Sequence, residues 1–346
     1  LVQFDEETAR SAFDQLSGEI HASIRSGLIE DSHQLRDAMT DRLRSAFESV
    51  GASATPVLAY GPGGPELAEA STDFVAAWSR AFGAWGQIDA DGNASELERR
   101  TGGFLAGIDG QLAELWRMGL VVGYSHSSFD LDRLKASASS DNYHIGLYGG
   151  TRWGALALRS GIGYTWHEIN SDRSIILPGL ADSLSADYDA NTFQAFGELA
   201  YAMDKGRFAF EPFANLAYVK FDSDGFTEDG GAAALAGGDG SSDTTFTTIG
   251  LRASTAFNIG STTATARGTI GWRHAFADTT PLATHAFAGG DTFTVAGTPI
   301  AENAALLELG VDFDIADTAK LGLTYQGQLA SDSSQHGFSA KLNMRF

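Results

Sequence analysis

Hydrophobic residues recur along this chain with two different periods. From Asp5 to about Val50 the spacing is three and four: Ala9, Phe13, Leu16, Ile20 and Ile24, then, after a break near Gly27, Leu35, Met39, Leu43 and Phe47. An apolar stripe at that spacing is the mark of an amphipathic helix. Two helices fit better than one, because a single helix over this span would run about 68 Å, twice the hydrocarbon thickness of a membrane. Asp31 or Ser32 is the expected cap of the second. Gly51 to Ala70 carries Pro56, Pro62, Pro65, Gly61, Gly63 and Gly64, which break regular structure, so residues 51–72 read as a linker.

From about Asp73 the period becomes two. In the last segment Phe338, Ala340, Leu342, Met344 and Phe346 share one face, while Ser339, Lys341, Asn343 and Arg345 share the other. Leu307, Leu309, Val311, Phe313 and Ile315 alternate in the same way, as do Leu156, Leu158, Ile162, Tyr164 and Trp166. Such alternation predicts strands, and about twelve are expected, beginning near residues 74, 97, 113, 140, 154, 188, 206, 243, 262, 301, 319 and 335. The connections are unequal. Those after even-numbered segments are short (Asp109–Gln111, Gly150–Trp153, Asp204–Gly206, Gly260–Thr262, Asp317–Ala319), and those after odd-numbered ones are mostly long, such as Asn170–Asp187, Asp222–Asp243 and Asp278–Pro299. Short turns at one end and long loops at the other belong to outer-membrane barrels. The expected fold is therefore an all-β membrane protein, a closed antiparallel transmembrane β-barrel of about twelve strands (73–346) behind an N-terminal helical segment (1–50) and the linker. Closure follows because hydrocarbon offers an open sheet edge no hydrogen-bond partner. The lumen of such a barrel is wide enough to admit a helix.

Composition narrows the field. No stretch reaches the roughly 18 apolar residues of a membrane-spanning helix, and the slightly negative mean hydropathy fits a soluble protein or a membrane barrel equally. The net charge of −21 excludes nucleic acid as a partner, since phosphate is bound by a surplus of Lys and Arg. With no cysteine there are no disulfides, thiolate metal sites or thiol nucleophiles. Gln3 to Glu7 is polar where the apolar core of a signal peptide would stand, so the chain reads as a mature or excised C-terminal portion.

Candidate chemistry is sparse. Asp89, Asp91 and Asn93 have the spacing that opens a calcium loop, but Ala94 and Arg100 replace the required Gly and Glu. His167-Glu168 lacks the second histidine of a zinc helix, and Gly61–Gly64 lacks the Lys of a phosphate loop. His126, His144, His274 and His336 are scattered. No catalytic, cofactor or metal set is expected. The inward strand faces carry Arg159, Arg252, Arg267 and Arg273 with Glu198, Glu211, Glu308, Asp312 and Asp314, a charged pore lining able to hold a helix bearing Arg36, Arg42 and Arg44. Ordinary cross-strand pairing in a polar lumen is the alternative.

The run Ala12-Phe13-Asp14-Gln15-Leu16-Ser17-Gly18-Glu19-Ile20-His21-Ala22-Ser23, the segments Trp78 to Gly86 and Gly271 to Phe276, and the terminal Phe346 resemble, in that order, the translocator β-domains of autotransporters (type V secretion). The resemblance covers nearly the whole chain. It implies an outer-membrane anchor and export pore for a passenger ahead of it, inserted by the barrel-assembly machinery, with outer-membrane lipid and lipopolysaccharide and its own passenger as partners, and monomeric. Phe338, Leu342, Met344 and Phe346 would form the assembly signal. One variant of the family frees its passenger by asparagine cyclisation, but no asparagine precedes Asn93 here. A free-standing porin is the competing function, disfavoured by the residues ahead of the first strand, and a barrel enzyme would need a catalytic set that is missing.

Overall fold

The computed structural model describes residues 5–53, 56–112, 115–259, 262–277, 279–316 and 319–344. Twelve antiparallel strands follow one another around a closed wall: β1 Val75–Ile88, β2 Leu97–Leu112, β3 Trp116–Leu131, β4 Ala136–Trp153, β5 Leu156–Leu177, β6 Leu180–Tyr201, β7 Phe208–Ser223, β8 Gly240–Ile259, β9 Thr262–Phe276, β10 Asn303–Ala316, β11 Ala319–Leu329 and β12 Ser333–Met344. Each strand pairs with its sequence neighbour, and β12 closes on β1 through Ser333↔Ile88 to Phe338↔Gly83. Closure leaves few backbone groups facing lipid, which an open sheet could not achieve.

The alternation decides which side each residue meets. Leu120, Val122, Ile145, Leu147, Ile162, Leu199, Leu216, Ile249, Ile270 and Leu309 are exposed on the outer wall. Aromatic rings such as Trp85, Tyr124, Tyr143, Trp166 and Trp272 stand beside them, as on barrels flanked by interfacial aromatic girdles. The opposite parity, including Arg99, Leu105, Asp109, Arg159, Glu198 and Arg252, is buried inside.

Ahead of the barrel come α1 (Glu6–Leu16), α2 (Ile20–Asp31) and α3 (His33–Ala46). Asp5 caps α1 by accepting from the Thr8 amide at 2.8 Å. The helices break at Gly18, whose φ is +73°, and at Ser32, whereas a break near Gly27 was expected. Gly27 stays helical, and the Phe129 ring packs so close to it that there is no room for a Cβ. Neither expected cap acts as one: Ser32 makes no capping bond, and Asp31 turns to Arg99 at 3.2 Å. The linker also departs from expectation. Despite its Pro and Gly residues, Val57–Gly61 and Gly64–Ala68 form a β-hairpin.

Several connections differ in length from the sequence reading. Asn170–Asp187 is no loop: β5 and β6 stay paired through 22 residues, to Leu177↔Leu180. Its polar residues mark strands that have risen out of the membrane, where alternation need no longer be apolar. Asp109–Gln111 and Gly150–Trp153 lie within strands, and the chain turns after the second at Gly154 and Ala155. Gly260 and Asp317 lie outside the described residues. The two long loops do fold, contributing Phe226–Thr227 and Leu235–Gly237 from one, and Leu282–Phe287 and Phe293–Ala296 from the other, to a small sheet over the mouth.

A closed ladder resists detergent until heated, so the folded chain is expected to migrate differently on gels with and without boiling, with a β-dominated circular-dichroism spectrum. A predominantly helical spectrum would contradict the fold.

Candidate functional site

The interior of the barrel is occupied. Residues Ile20 to Glu30 of α2 are buried on every side, as is most of α3. A helix enclosed in this way needs room for its backbone and a partner for each charge.

Glycines in the wall supply the room. The α3 stripe of Leu35, Met39 and Leu43, followed by Phe47, runs along strands β4 and β5, where Gly163, Gly146 and Gly150 face it. A Cβ on Gly163 would stand 2.7 Å from Leu35, and one on Gly150 3.3 Å from Phe47. The helical period and the glycine positions are two halves of one contact.

Charges are matched at three levels. Near the bottom, Arg42 donates two hydrogen bonds to Asp109 of β2 at 2.6 and 2.7 Å. Arg117 donates to the same carboxylate, and so does Tyr148 at 2.8 Å. Asp41 accepts from Arg80 of β1 at 2.9 Å. Midway, Glu30 takes both hydrogen bonds of Arg273 at 2.7 and 2.9 Å, with Gln328 at 3.1 Å. Asp31 accepts from Arg99 and from Ser127. At the mouth, His21 Nε2 lies 2.9 Å from Glu228 of the β7–β8 loop, which Arg173 of β5 also grips at 2.6 and 2.7 Å. Arg173 donates as well to the Gln15 carbonyl of α1 at 3.0 Å, so one arginine ties the loop to the emerging chain.

The expected lining residues sort into distinct groups. Arg159, Glu198, Glu211 and Arg252 converge in one buried cluster: Arg159 reaches Glu198 at 2.7 Å and Glu211 at 3.1 Å, and Arg252 reaches both at 2.8 to 2.9 Å. Arg159 also donates to Ser49, just past α3, at 2.7 Å. Arg267 pairs with Asp312 at 3.5 Å and Thr324 at 2.6 Å, apart from the helices. Arg273 is held by Glu30. Glu308 accepts from Gln326 at 3.3 Å and faces a cavity of about 150 Å³ between α3 and the β7–β12 side. The side chain of Asp314 lies outside the described residues.

Of the helix arginines expected to find wall acids, only Arg42 does so. Arg36 bonds the Gln194 amide at 3.1 Å and Arg44 bonds Asp41 on its own helix at 2.8 Å. The helices bind the wall mainly through their own carboxylates, Glu30, Asp31 and Asp41. Sequence reasoning missed these and their partners Arg80 and Arg99, although both arginines stand at inward parity. Phe338 points outward and is 57% exposed. The side chains of Leu342 and Met344, and all of Phe346, lie outside the described residues. Among the described residues no group of His, Asp and Glu side chains is placed to hold a metal ion.

Two groups at the mouth are perturbed in opposite directions. Burial, opposed by a hydrogen bond from the Ser95 amide at 2.7 Å, pushes the Glu19 carboxyl up to about 7. Burial would raise Glu228 too, but hydrogen bonds from His21 and Arg173 outweigh it and hold the carboxyl at about 2.

Residues 77–326 match the family described as autotransporter beta-domain. An extracellular serine protease of Serratia marcescens is 38% identical over 333 residues, which are 96% of this chain and 30% of that protein. The chain thus spans under a third of that relative's length. Among solved structures, the translocator domain of the autotransporter NalP from Neisseria meningitidis superposes with a TM-score of 0.65 at 14% identity, covering 92% of this chain and 98% of that one. The β-domain of the Bordetella autotransporter BrkA gives 0.55 at 16% identity, covering 78% and 98%.

Glu30→Ala would leave the Arg273 guanidinium buried without its carboxylate, and the expected loss of helix retention is about 3 to 5 kcal/mol. Planar-bilayer recordings should then show frequent large openings that are rare in the parent, while Glu30→Leu with Arg273→Met should restore quiet traces. A second expectation concerns pH. A carboxyl whose folded pKa is raised favours docking when protonated, so the mouth should be tightest below about pH 4.5 and loosen as pH rises to 7. Limited proteolysis near Ser17 should accelerate over that window, and Glu19→Gln should abolish the change.

Proposed function

The chain belongs to the autotransporter β-domain family, and from that premise we propose that it is the outer-membrane translocator of a secreted serine protease, anchoring the enzyme's passenger segment and supporting its passage to the cell surface. The observation that carries this reading is the seated helix pair. A polypeptide already threaded through a closed barrel, with its charges met at each level, is the resting state expected after the chain ahead of α1 has passed outward. A diffusion porin has no use for such an occupant. The Serratia relative is an extracellular serine protease, and the corresponding activity would reside in the passenger; the barrel would contribute passage and anchorage.

The partners follow from the surfaces. Outer-membrane lipid and lipopolysaccharide would cover the apolar band, and the N-terminal 1–50 segment would join passenger to barrel through the pore, with 51–72 connecting it to the 73–346 barrel. Phe338, Leu342, Met344 and Phe346 would be read by the barrel-assembly machinery as a strand offered for pairing.

An epitope fused ahead of Leu1 should reach the surface of intact cells and be removed by external protease, whereas an epitope trapped in the periplasm would overturn the export reading. Deleting Phe346 separates recognition from packing. Losing one lipid-facing aromatic should cost only about 1.5 to 3 kcal/mol of burial, so refolding into detergent should survive while assembly in cells collapses. Normal surface levels, or failure in both settings, would leave packing as the explanation.

A further inference from the structure

The two long outer loops do more than cover the mouth. Each folds as a short hairpin, Phe226–Thr227 with Leu235–Gly237 from the β7–β8 loop, and Leu282–Phe287 with Phe293–Ala296 from the β9–β10 loop. Three pairs, Leu235↔Phe287 to Gly237↔His285, join the hairpins into one sheet. Two-stranded hairpins are marginal by themselves, and these rest on the chain beneath them, the stretch Gly18 to Ser26.

Both loops grip that stretch. Gly297 lies so close to α2 that a Cβ on it would stand 2.5 Å from the Ala22 carbonyl carbon and the Ser23 nitrogen. Beside it, Thr298 donates from its amide and its hydroxyl to the Ser23 hydroxyl, each at 2.9 Å, and its carbonyl accepts from Ser26. Arg25 donates to the Leu282 carbonyl at 2.8 Å. From the other loop the Phe226 ring stacks on His21 at 4.0 Å, and Leu235 fills the space where a Cβ on Gly18 would stand, 2.5 Å away. Ser23, Ser26 and Thr298 are fully buried. The grip is selective in shape and in hydrogen bonding. Bulk at Ser23 would displace Thr298 and leave its buried amide without an acceptor, which is costly.

We propose that the two outer loops form a recognition site for Gly18–Ser26 whose occupation ends outward movement of the chain, so that the mouth, and not only the wall pairs deeper in the lumen, sets the depth at which the chain comes to rest. The inference rests on the translocator reading. While the chain moves, the three-pair seam is parted; it closes when Ser23 and Ser26 reach Thr298. The covalent tether alone does not stop α2 at the mouth, because the 51–72 linker would extend to roughly 70 Å if its hairpin opened.

The absence of native cysteine lets depth be read on intact cells carrying the full chain with an epitope ahead of Leu1. Phe13→Cys marks the exposed part of the chain, and Ile29→Cys, buried below the grip, marks the part that stays inside. The probe is a maleimide on a polyethylene glycol too bulky to enter the mouth, and each variant is confirmed as heat-modifiable. Labelling should be strong at Phe13→Cys and at background for Ile29→Cys. Adding Gly297→Ala on the loop side, or Ser23→Phe on the helix side, should raise Ile29→Cys labelling roughly tenfold. Thr298→Ser, which keeps both hydrogen bonds to Ser23, should leave it at background. A surface epitope with Ile29→Cys dark in both Gly297→Ala and Ser23→Phe, or as bright in Thr298→Ser as in those two, would overturn this inference alone. An epitope held in the periplasm would overturn the export reading and this inference with it.

Discussion

A peptide group inside hydrocarbon has no water to bond, and the rest of this structure depends on that constraint. It forces the sheet to close, closure creates an interior sealed from lipid, and that interior holds a helix with a cavity of about 150 Å³ beside it. Once a helix sits there, a second scarcity follows, because its charges are removed from bulk water as well. Glu30, Asp31, Asp41 and Arg42 are each met by a wall residue at hydrogen-bond distance. Such pairs are weak arguments for raw stability, since dehydrating both partners offsets much of their attraction, but breaking one is costly. They fix the depth and rotation of the helix more than they strengthen the barrel.

Much of this was legible in the sequence, for a physical reason: a barrel strand sees lipid on one side and lumen on the other, so period-two alternation is imposed on nearly every segment. The twelve strand starts read from it lie within a few residues of those observed, apart from β6, which begins at Leu180. That exception is instructive. Above the membrane the outer face of β5 carries Glu168, Asn170 and Asp172, polar residues indistinguishable in sequence from a loop, although the backbone pairing never stops. The linker misled in the same manner. Pro65 and three glycines suggest broken structure, yet Pro is acceptable on an edge strand.

The site was harder to read. Inward parity identified Arg159, Glu198, Glu211 and Arg252, but their convergence depends on register across strands β5 to β8, which a sequence does not display. The pairing of helix acids with wall arginines was also hidden, because either sign of partner is compatible with an amphipathic helix. What the sequence did contain was the stripe Leu35, Met39, Leu43 and Phe47. The glycines that receive it were visible too, but as isolated small residues in strands, with nothing to say they form one furrow.

The long β5–β6 hairpin has a consequence beyond the pore. From Glu168 to Leu177 it extends about 30 Å at the usual rise per residue, and α1 lies against it through Leu16, Ile175 and Leu184. The ladder is paired with itself to its tip, so the turn at Pro178-Gly179 can vary in sequence without disturbing the wall. A change of length or sequence at that tip is therefore carried by the hairpin alone, leaving the glycine furrow of Gly146, Gly150 and Gly163 unchanged.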